Sequence, residues 1–195
     1  MCRRLDCLIG LFAVLIVLVI ALSPRIAQGA EEGRLLVASE ALTGGYKQAV
    51  IAVGPPAVDG GHYGVILNLP SRATMAQMFP DFAPARAIKG PLYIGGPNHY
   101  RVIFAMTTIK PEGEKNAVPM GGGIWLYISA KAIDRLIETH PNDARYYVGI
   151  VFWRPGELDQ EIKRGLWRAM PLDTKELFRP DVGTLWRRLG GTKGI

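Results

Sequence analysis

Apolar residues in this chain fall in short runs divided by glycine and proline. Residues 34–40 (RLLVASE) and 48–54 (QAVIAVG) have the aliphatic and β-branched content of strands. Gly54-Pro55-Pro56 and Asp59-Gly60-Gly61 then break the chain into a long turn. Residues 64–69 (GVILNL) predict a third strand, stopped by Pro70. Met75, Met78 and Phe79 give residues 74–79 an apolar helical face, after which Pro80 and Pro84 leave a loop up to Gly90. Strands are expected at 92–95 and 101–108 around the turn Gly95-Gly96-Pro97-Asn98, followed by a polar loop at 110–121.

Residues 124–128 predict another strand. Residues 129–139 give the clearest helix, with Ser129 as N-cap and Ile133, Leu136 and Ile137 on one face. Residues 145–153 (RYYVGIVFW) are too continuously apolar for an exposed ribbon and predict the central buried strand. A helix over 157–164 starts with Glu157 and Asp159 and ends with Lys163-Arg164, a polarity that suits the helix dipole, and Gly165 stops it. A last strand is expected at 166–170 and short helical segments at 177–189. Hairpins mixed with helices, without a regular βαβ alternation, predict an α+β fold in one domain, residues 30–195.

The N-terminus has a different pattern. Arg3 and Arg4 precede an unbroken apolar run over residues 8–22, and Ala27-Gln28-Gly29 ends in small residues before Ala30. That is the order of a signal peptide over residues 1–29, cleaved before Ala30. The alternative is an uncleaved membrane anchor, although fifteen residues at about 1.5 Å each reach only ~22 Å of a ~30 Å hydrocarbon core. Either way the body of the chain is expected outside the cytosol, in the periplasm or tethered to the inner membrane. Contact with the membrane is then limited to the leader or the anchor.

Composition changes with that segment removed. Lys+Arg falls from 23 to 20 and Asp+Glu from 17 to 16, leaving a net charge of +4, and both cysteines, Cys2 and Cys7, are lost. A thiol-free body suits an oxidising compartment and excludes cysteine nucleophiles and thiolate metal sites. No nucleophile elbow or phosphate-binding glycine loop occurs, and His62, His99 and His140 stand 37 and 41 positions apart, so no metal and no cofactor are expected. Arg179, Arg187, Arg188 and Lys193 surround Trp186 near the C-terminus, yet so modest a charge does not favour nucleic acid as partner. Trp125, Trp153, Trp167, Trp186, Tyr146 and Tyr147 are expected in the core.

Two sets of residues are candidates for function. Glu157 and Glu161, at i,i+4, could serve as a general base with His62 or His99 assisting, in a hydrolase or transferase. The simpler expectation is that both carboxylates face solvent near a helix start, beside Arg154 and Arg164. A binding groove is expected instead where Asn68, Gly95, Gly96, Pro97 and Asn98 meet Trp153, Arg154, Pro155, Gly156 and Glu157. It would offer bare amides, one side-chain amide and an aromatic wall to a protein or small molecule of the cell envelope.

Four segments, in order, resemble the AlgH/YqgE family over most of residues 33–190: Gly33-Arg34-Leu35-Leu36-Val37-Ala38, Gly64-Val65-Ile66-Leu67-Asn68-Leu69-Pro70, Tyr93-Ile94-Gly95-Gly96-Pro97, and GIVFWRPGELDQEIKRGLW at 149–167. In the last, Gly149, Trp153, Gly156, Leu158, Glu161, Gly165 and Trp167 match the family pattern. The resemblance implies a large, strongly curved, mostly antiparallel sheet with a few flanking helices, and brings no enzymatic activity. Its members are linked to exopolysaccharide gene regulation and labelled transcriptional regulators acting in the cytoplasm, a second functional expectation. This chain departs from the family in its leader, in Asn98 where valine is usual, and in the Pro/Gly-rich segment at 54–62.

Overall fold

The computed structural model describes residues 32–113 and 115–190. The leader expected at 1–29 lies outside the described residues. Among the described residues, nine strands form one sheet: β1 (Arg34–Ala38), β2 (Val50–Val53), β3 (His62–Ile66), β4 (Tyr93–Ile94), β5 (Asn98–Thr107), β6 (Ala117–Gly121), β7 (Ile124–Tyr127), β8 (Ala144–Trp153) and β9 (Trp167–Pro171). Their order is β6-β7-β5-β8-β3-β2-β1-β9, with β4 pairing parallel to β8 and the other pairs antiparallel. Five short helices flank it: α1 (Met75–Met78), α2 (Ala130–Thr139), α3 (Glu157–Lys163), α4 (Thr174–Leu177) and α5 (Leu185–Arg188). The α+β class and the strongly curled, mostly antiparallel sheet are as expected.

The curl is visible in close backbone approaches. A Cβ added at Gly33 would meet the Met120 carbonyl oxygen at 1.6 Å, and one at Gly121 would meet the Gly33 nitrogen at 2.6 Å. The first edge strand, β6, thus returns onto the start of β1, and Met120 is completely buried there. Inside the curl, strands bury side chains on both faces, which is why β1, β2 and β8 read as continuous apolar runs. One core cluster joins Leu36, Ile51, Val65, Met106, Leu126 and Trp153 to Leu177, Leu185 and Trp186 of the C-terminal segment. A second lies under α2, where Ile133, Leu136 and Ile137 pack with Met75, Leu92 and Tyr146. Each such aliphatic side chain contributes about 1.5–3 kcal/mol by leaving water.

The central strand β8 changes partners along its length. Its first half pairs with β5 and β4, and its last residues pair with β3 through His62↔Trp153 and Gly64↔Val151. Gly149 is the pivot: its φ is +73°, and a Cβ there would sit 2.3 Å from the Gly96 carbonyl oxygen. At the start of β8 the buried Arg145 guanidinium lies 4.8 Å from the Tyr93 ring centroid and donates to the Arg179 carbonyl, tying the strand to the C-terminal segment.

Several expectations are corrected. Residues 117–121 form β6 instead of belonging to a polar loop, because Ala117 and Met120 are drawn into the core while Pro119 takes an edge position. A 3-10 turn at Ala83–Ala87 occupies the expected loop before Gly90. β5 begins at Asn98, three residues early. Ser129 takes the N-cap position of α2, but its side chain makes no capping bond. Thr74 and Gln77, in contrast, form a reciprocal capping box on α1.

Candidate functional site

The stretch from Gly149 to Trp167 runs from the pivot of β8, through a turn and α3, into β9. Gly156, at φ +77°, starts α3, and the Glu157 Oε2 accepts from the Arg154 backbone N–H at 2.9 Å, closing the turn. Leu158 is fully buried, which fixes the face α3 presents to the sheet. One turn later, Glu161 Oε2 accepts from both Trp153 Nε1 and Trp167 Nε1, each at 2.8 Å. The two indoles meet edge to face at 6.5 Å, and Tyr46 packs edge-on against Trp167 at 5.9 Å. Burial, then the Glu161 and Glu157 carboxylates, raise the Tyr46 phenol above its ordinary value.

This geometry corrects the expectation that Glu161 faces water. It is half-buried and joins the end of β8 to the start of β9, a structural role. Glu157 is exposed and bonded to the turn backbone. His62 is buried opposite Trp153, while His99 lies on β5 and makes no hydrogen bond to either glutamate among the described residues.

The expected groove residues are distributed along the β3/β8 pairing. Asn68 Oδ1 accepts from the Val50 N–H and its Nδ2 donates to the Gln48 carbonyl, both at 2.8 Å, which holds Gln48 at φ +57°. The Gly95 N–H donates to the Val148 carbonyl and its own carbonyl accepts from the Ile66 N–H, so that amide is part of the sheet. A Cβ at Gly95 or Gly96 would lie 2.2 Å from the backbone of Gly149 or Ile150. Pro97 and Asn98 are exposed, as are Arg154 to Glu157. Asn68 lies six residues along from His62, the partner of Trp153, a span of about 20 Å in extended chain. The structure brings 95–98 against 148–150, and it leaves Trp153 paired with His62 at the start of β3 while Asn68 lies two residues past its end, next to Leu69, whose carbonyl accepts from the Ile94 N–H.

The C-terminal arginines are largely engaged within the chain. Arg188 bonds Glu176 at 2.6 Å and Thr184 at 3.0 Å, Arg179 lies 4.0 Å from Glu176, and Trp186 donates to the Ala38 carbonyl. The Thr184 hydroxyl, followed by Arg188 and Arg179, holds the Asp181 carboxyl below its ordinary value. Lys193 lies outside the described residues. Of the expected core aromatics, Trp125 is half-buried and the other five are buried. Among the described residues no group of three or more His, Cys, Asp or Glu is placed to hold a metal ion.

Sequence reasoning missed an apolar groove beside β5. Tyr100, Val102, Ile128 and Phe79 are 68%, 40%, 42% and 39% exposed. Two cavities of about 590 and 370 Å3 meet there, with Val102 and Ile128 lining both. The first lies under α2, and the second is on the opposite face of the sheet among Tyr63, Phe104, Val118 and Leu126. The signal in the sequence is the apolar alternation of Tyr100, Val102 and Phe104, which predicts a strand but not which face remains uncovered.

The profile of a protein family described as AlgH-like matches residues 35–195. The chain belongs to the AlgH-like family. A UPF0301 protein of Mycobacterium ulcerans is 28% identical over 167 residues, covering 83% of this chain and 82% of the relative. One from Streptomyces coelicolor is 25% identical over 162 residues, covering 80% and 83%. The solution structure of the AlgH protein from Pseudomonas aeruginosa superposes with a TM-score of 0.67 at 18% identity, over 85% of this chain and 92% of that one. The crystal structure of a Corynebacterium diphtheriae protein gives 0.65 at 20% identity, over 84% and 87%. These likenesses establish the AlgH-like fold. In this chain Gly149, Trp153, Glu161 and Trp167 mark where β8 changes partners and where the corner from β8 through α3 to β9 closes.

Proposed function

We propose that this chain is a non-enzymatic binding or regulatory domain of the AlgH-like family that works in the cell envelope. The observation that carries the reading is the Glu161 carboxylate bridging two indole N–H groups. The most chemically suggestive side chain of the signature stretch is occupied in holding the fold, and Glu157 and Asn68 are likewise bonded to backbone. The domain then acts by contact with a protein or small molecule. Its address comes from residues 1–29, whose charged, apolar and small-residue segments follow the order of an export signal.

Fractionation with N-terminal sequencing tests this reading. A C-terminally tagged full chain produced in a bacterium is expected in the periplasmic or inner-membrane fraction, its processed form beginning at Ala30. Unprocessed protein in the cytosolic fraction, retaining a DNA fragment in a gel shift at physiological salt, would overturn it.

A further inference from the structure

Past the end of β5 the chain forms one wall of a cleft whose other wall is α2. The cleft has a volume of about 430 Å3 and an apolar floor of Ile109, Tyr127 and Leu136. Its loop wall is held by hydrogen bonds to the rest of the fold. The Thr107 hydroxyl donates to the Asp143 carbonyl and accepts from the Ile109 N–H, and the Tyr127 hydroxyl donates to the Ile109 carbonyl at 3.4 Å. The Asn116 side chain donates to the Glu112 carbonyl, and the Asn116 carbonyl accepts from the Ile128 and Ser129 amides. The cleft is therefore formed before any ligand arrives.

Charge is unevenly distributed around it. Lys110 comes from the loop wall, Lys131, Arg135 and His140 come from α2 and its C-cap, and Glu112 is the one carboxylate lining the cleft among the described residues. Lys131 and Arg135 stand at i,i+4 on one face of the helix, where like charges repel. Asp134, a turn away from Lys131, lines the cavity on the other side of α2 instead. Among the described residues neither Lys110 nor Lys131 forms an ion pair. Arg135 pairs with Glu112 at 3.1 Å, but the two side chains are 67% and 77% exposed, so water screens the pair and holds it weakly. The Thr139 hydroxyl donates to the Arg135 carbonyl, so it accepts from His140 Nδ1 at 2.9 Å and orients that ring beside the cleft. The dipole of α2 opposes an anion at the His140 end, which leaves Lys110, Lys131 and Arg135 as the groups that attract one.

We propose that this cleft binds a small organic polyanion, a molecule with two or more neighbouring phosphate or carboxylate groups. Two lysines without counter-ions and an arginine on an exchangeable carboxylate call for more than one negative group, since a single charge leaves a lysine unmatched. Glu112 holds the place on Arg135 that a ligand oxygen takes, and it is displaced on binding. The apolar floor suits an organic carrier, and the volume falls within the roughly 300–1,000 Å3 of small-molecule sites. A nucleic acid would instead need a basic track along its backbone. The inference rests on the reading that the domain acts by binding, and adds a ligand class and a site apart from residues 95–98 and 153–157.

The probes are citrate and inorganic pyrophosphate, titrated calorimetrically into the full chain as its producing cell leaves it, in sodium chloride at about 0.15 M to screen long-range attraction. Saturable one-to-one binding of at least one probe is expected, and the tighter one tells whether carboxylate or phosphate is the better fit. The double variant Lys110→Ala, Lys131→Ala is expected to bind at least about tenfold more weakly with an unchanged thermal midpoint. Glu112→Gln removes the competing carboxylate and is expected to tighten binding about threefold, a gain that misfolding cannot produce. Asp159→Asn alters the net charge equally on α3, which contributes nothing to the cleft, and is expected to leave affinity unchanged. Unsaturable heats with both probes, a double variant that binds like the parent, or equal tightening by Glu112→Gln and Asp159→Asn overturns the proposal. None of those outcomes bears on the fractionation result.

Discussion

Glu161 places two indole donors on one carboxylate oxygen, and this small cluster joins three elements. Trp153 ends β8, Trp167 begins β9, and the glutamate sits on the helix between them. Removing the acceptor strands two N–H groups on side chains that are each 3% exposed, and a buried donor without a partner costs about 1–3 kcal/mol. Glu161→Leu is therefore expected to lower unfolding stability by about 2–5 kcal/mol. Glu161→Gln keeps one acceptor oxygen and is expected to lose about 1–2 kcal/mol. Denaturant midpoints followed by tryptophan fluorescence check both, and a Glu161→Leu variant as stable as the parent would refute the clamp.

Glycines of one conformation have different weights according to the element they join. Gly149 and Gly156 both have φ near +75°, in the left-handed region that favours glycine. A side chain at Gly149 would drive into the Gly96 carbonyl at 2.3 Å, whereas nothing lies within 4 Å of one at Gly156. Gly156→Ala is expected to lose only the conformational term, about 1 kcal/mol. Gly149→Ala adds a backbone clash at the pivot of β8 and is expected to lose about 4 kcal/mol or more, or to prevent folding. Comparing the two thermal midpoints measures how far the curl depends on that single close approach. The same approach explains why the segment 95–98 is threaded between strands and offers no bare amide at Gly95.

The curled sheet as a whole buries phenols that a flatter one would leave wet. Burial raises Tyr146 and Tyr147 well above the ordinary value near 10; at Tyr147 the Arg145 cation partly opposes this, and at Tyr146 the Asp143 carboxylate adds to it. Between that ordinary value and the higher folded one, the unfolded chain releases protons that the folded chain keeps. Stability is thus unaffected by these groups below about pH 10 and falls as pH rises above it, by up to about 1.4 kcal/mol per pH unit for each phenol. Urea midpoints between pH 7 and 11 are expected to be flat and then to decline. Tyr147→Phe is expected to make that decline shallower, and an unchanged slope would show that the phenol ionises alike in both states.

Local pattern was sufficient wherever an element carries its own periodicity and stops. Residues 145–153 announced a buried central strand, Ile133, Leu136 and Ile137 announced α2, and the ordered segments from Gly33 to Trp167 carried the family and its α+β class. Partners across the sheet decided the rest. Glu161 reads as a solvated helix residue until β8 and β9 place an indole on either side of it, and Asn68 reads as a free amide until β2 closes over it. Ala117–Gly121 becomes a strand because β7 pairs with it and the core takes up Ala117 and Met120. The point where β7 leaves β5 is likewise invisible along the chain, since a strand's sequence is the same whether its neighbour continues or, as β7 does after Tyr127, turns away. Periodicity is a property of neighbours in sequence, whereas burial and hydrogen-bond satisfaction are properties of neighbours in space.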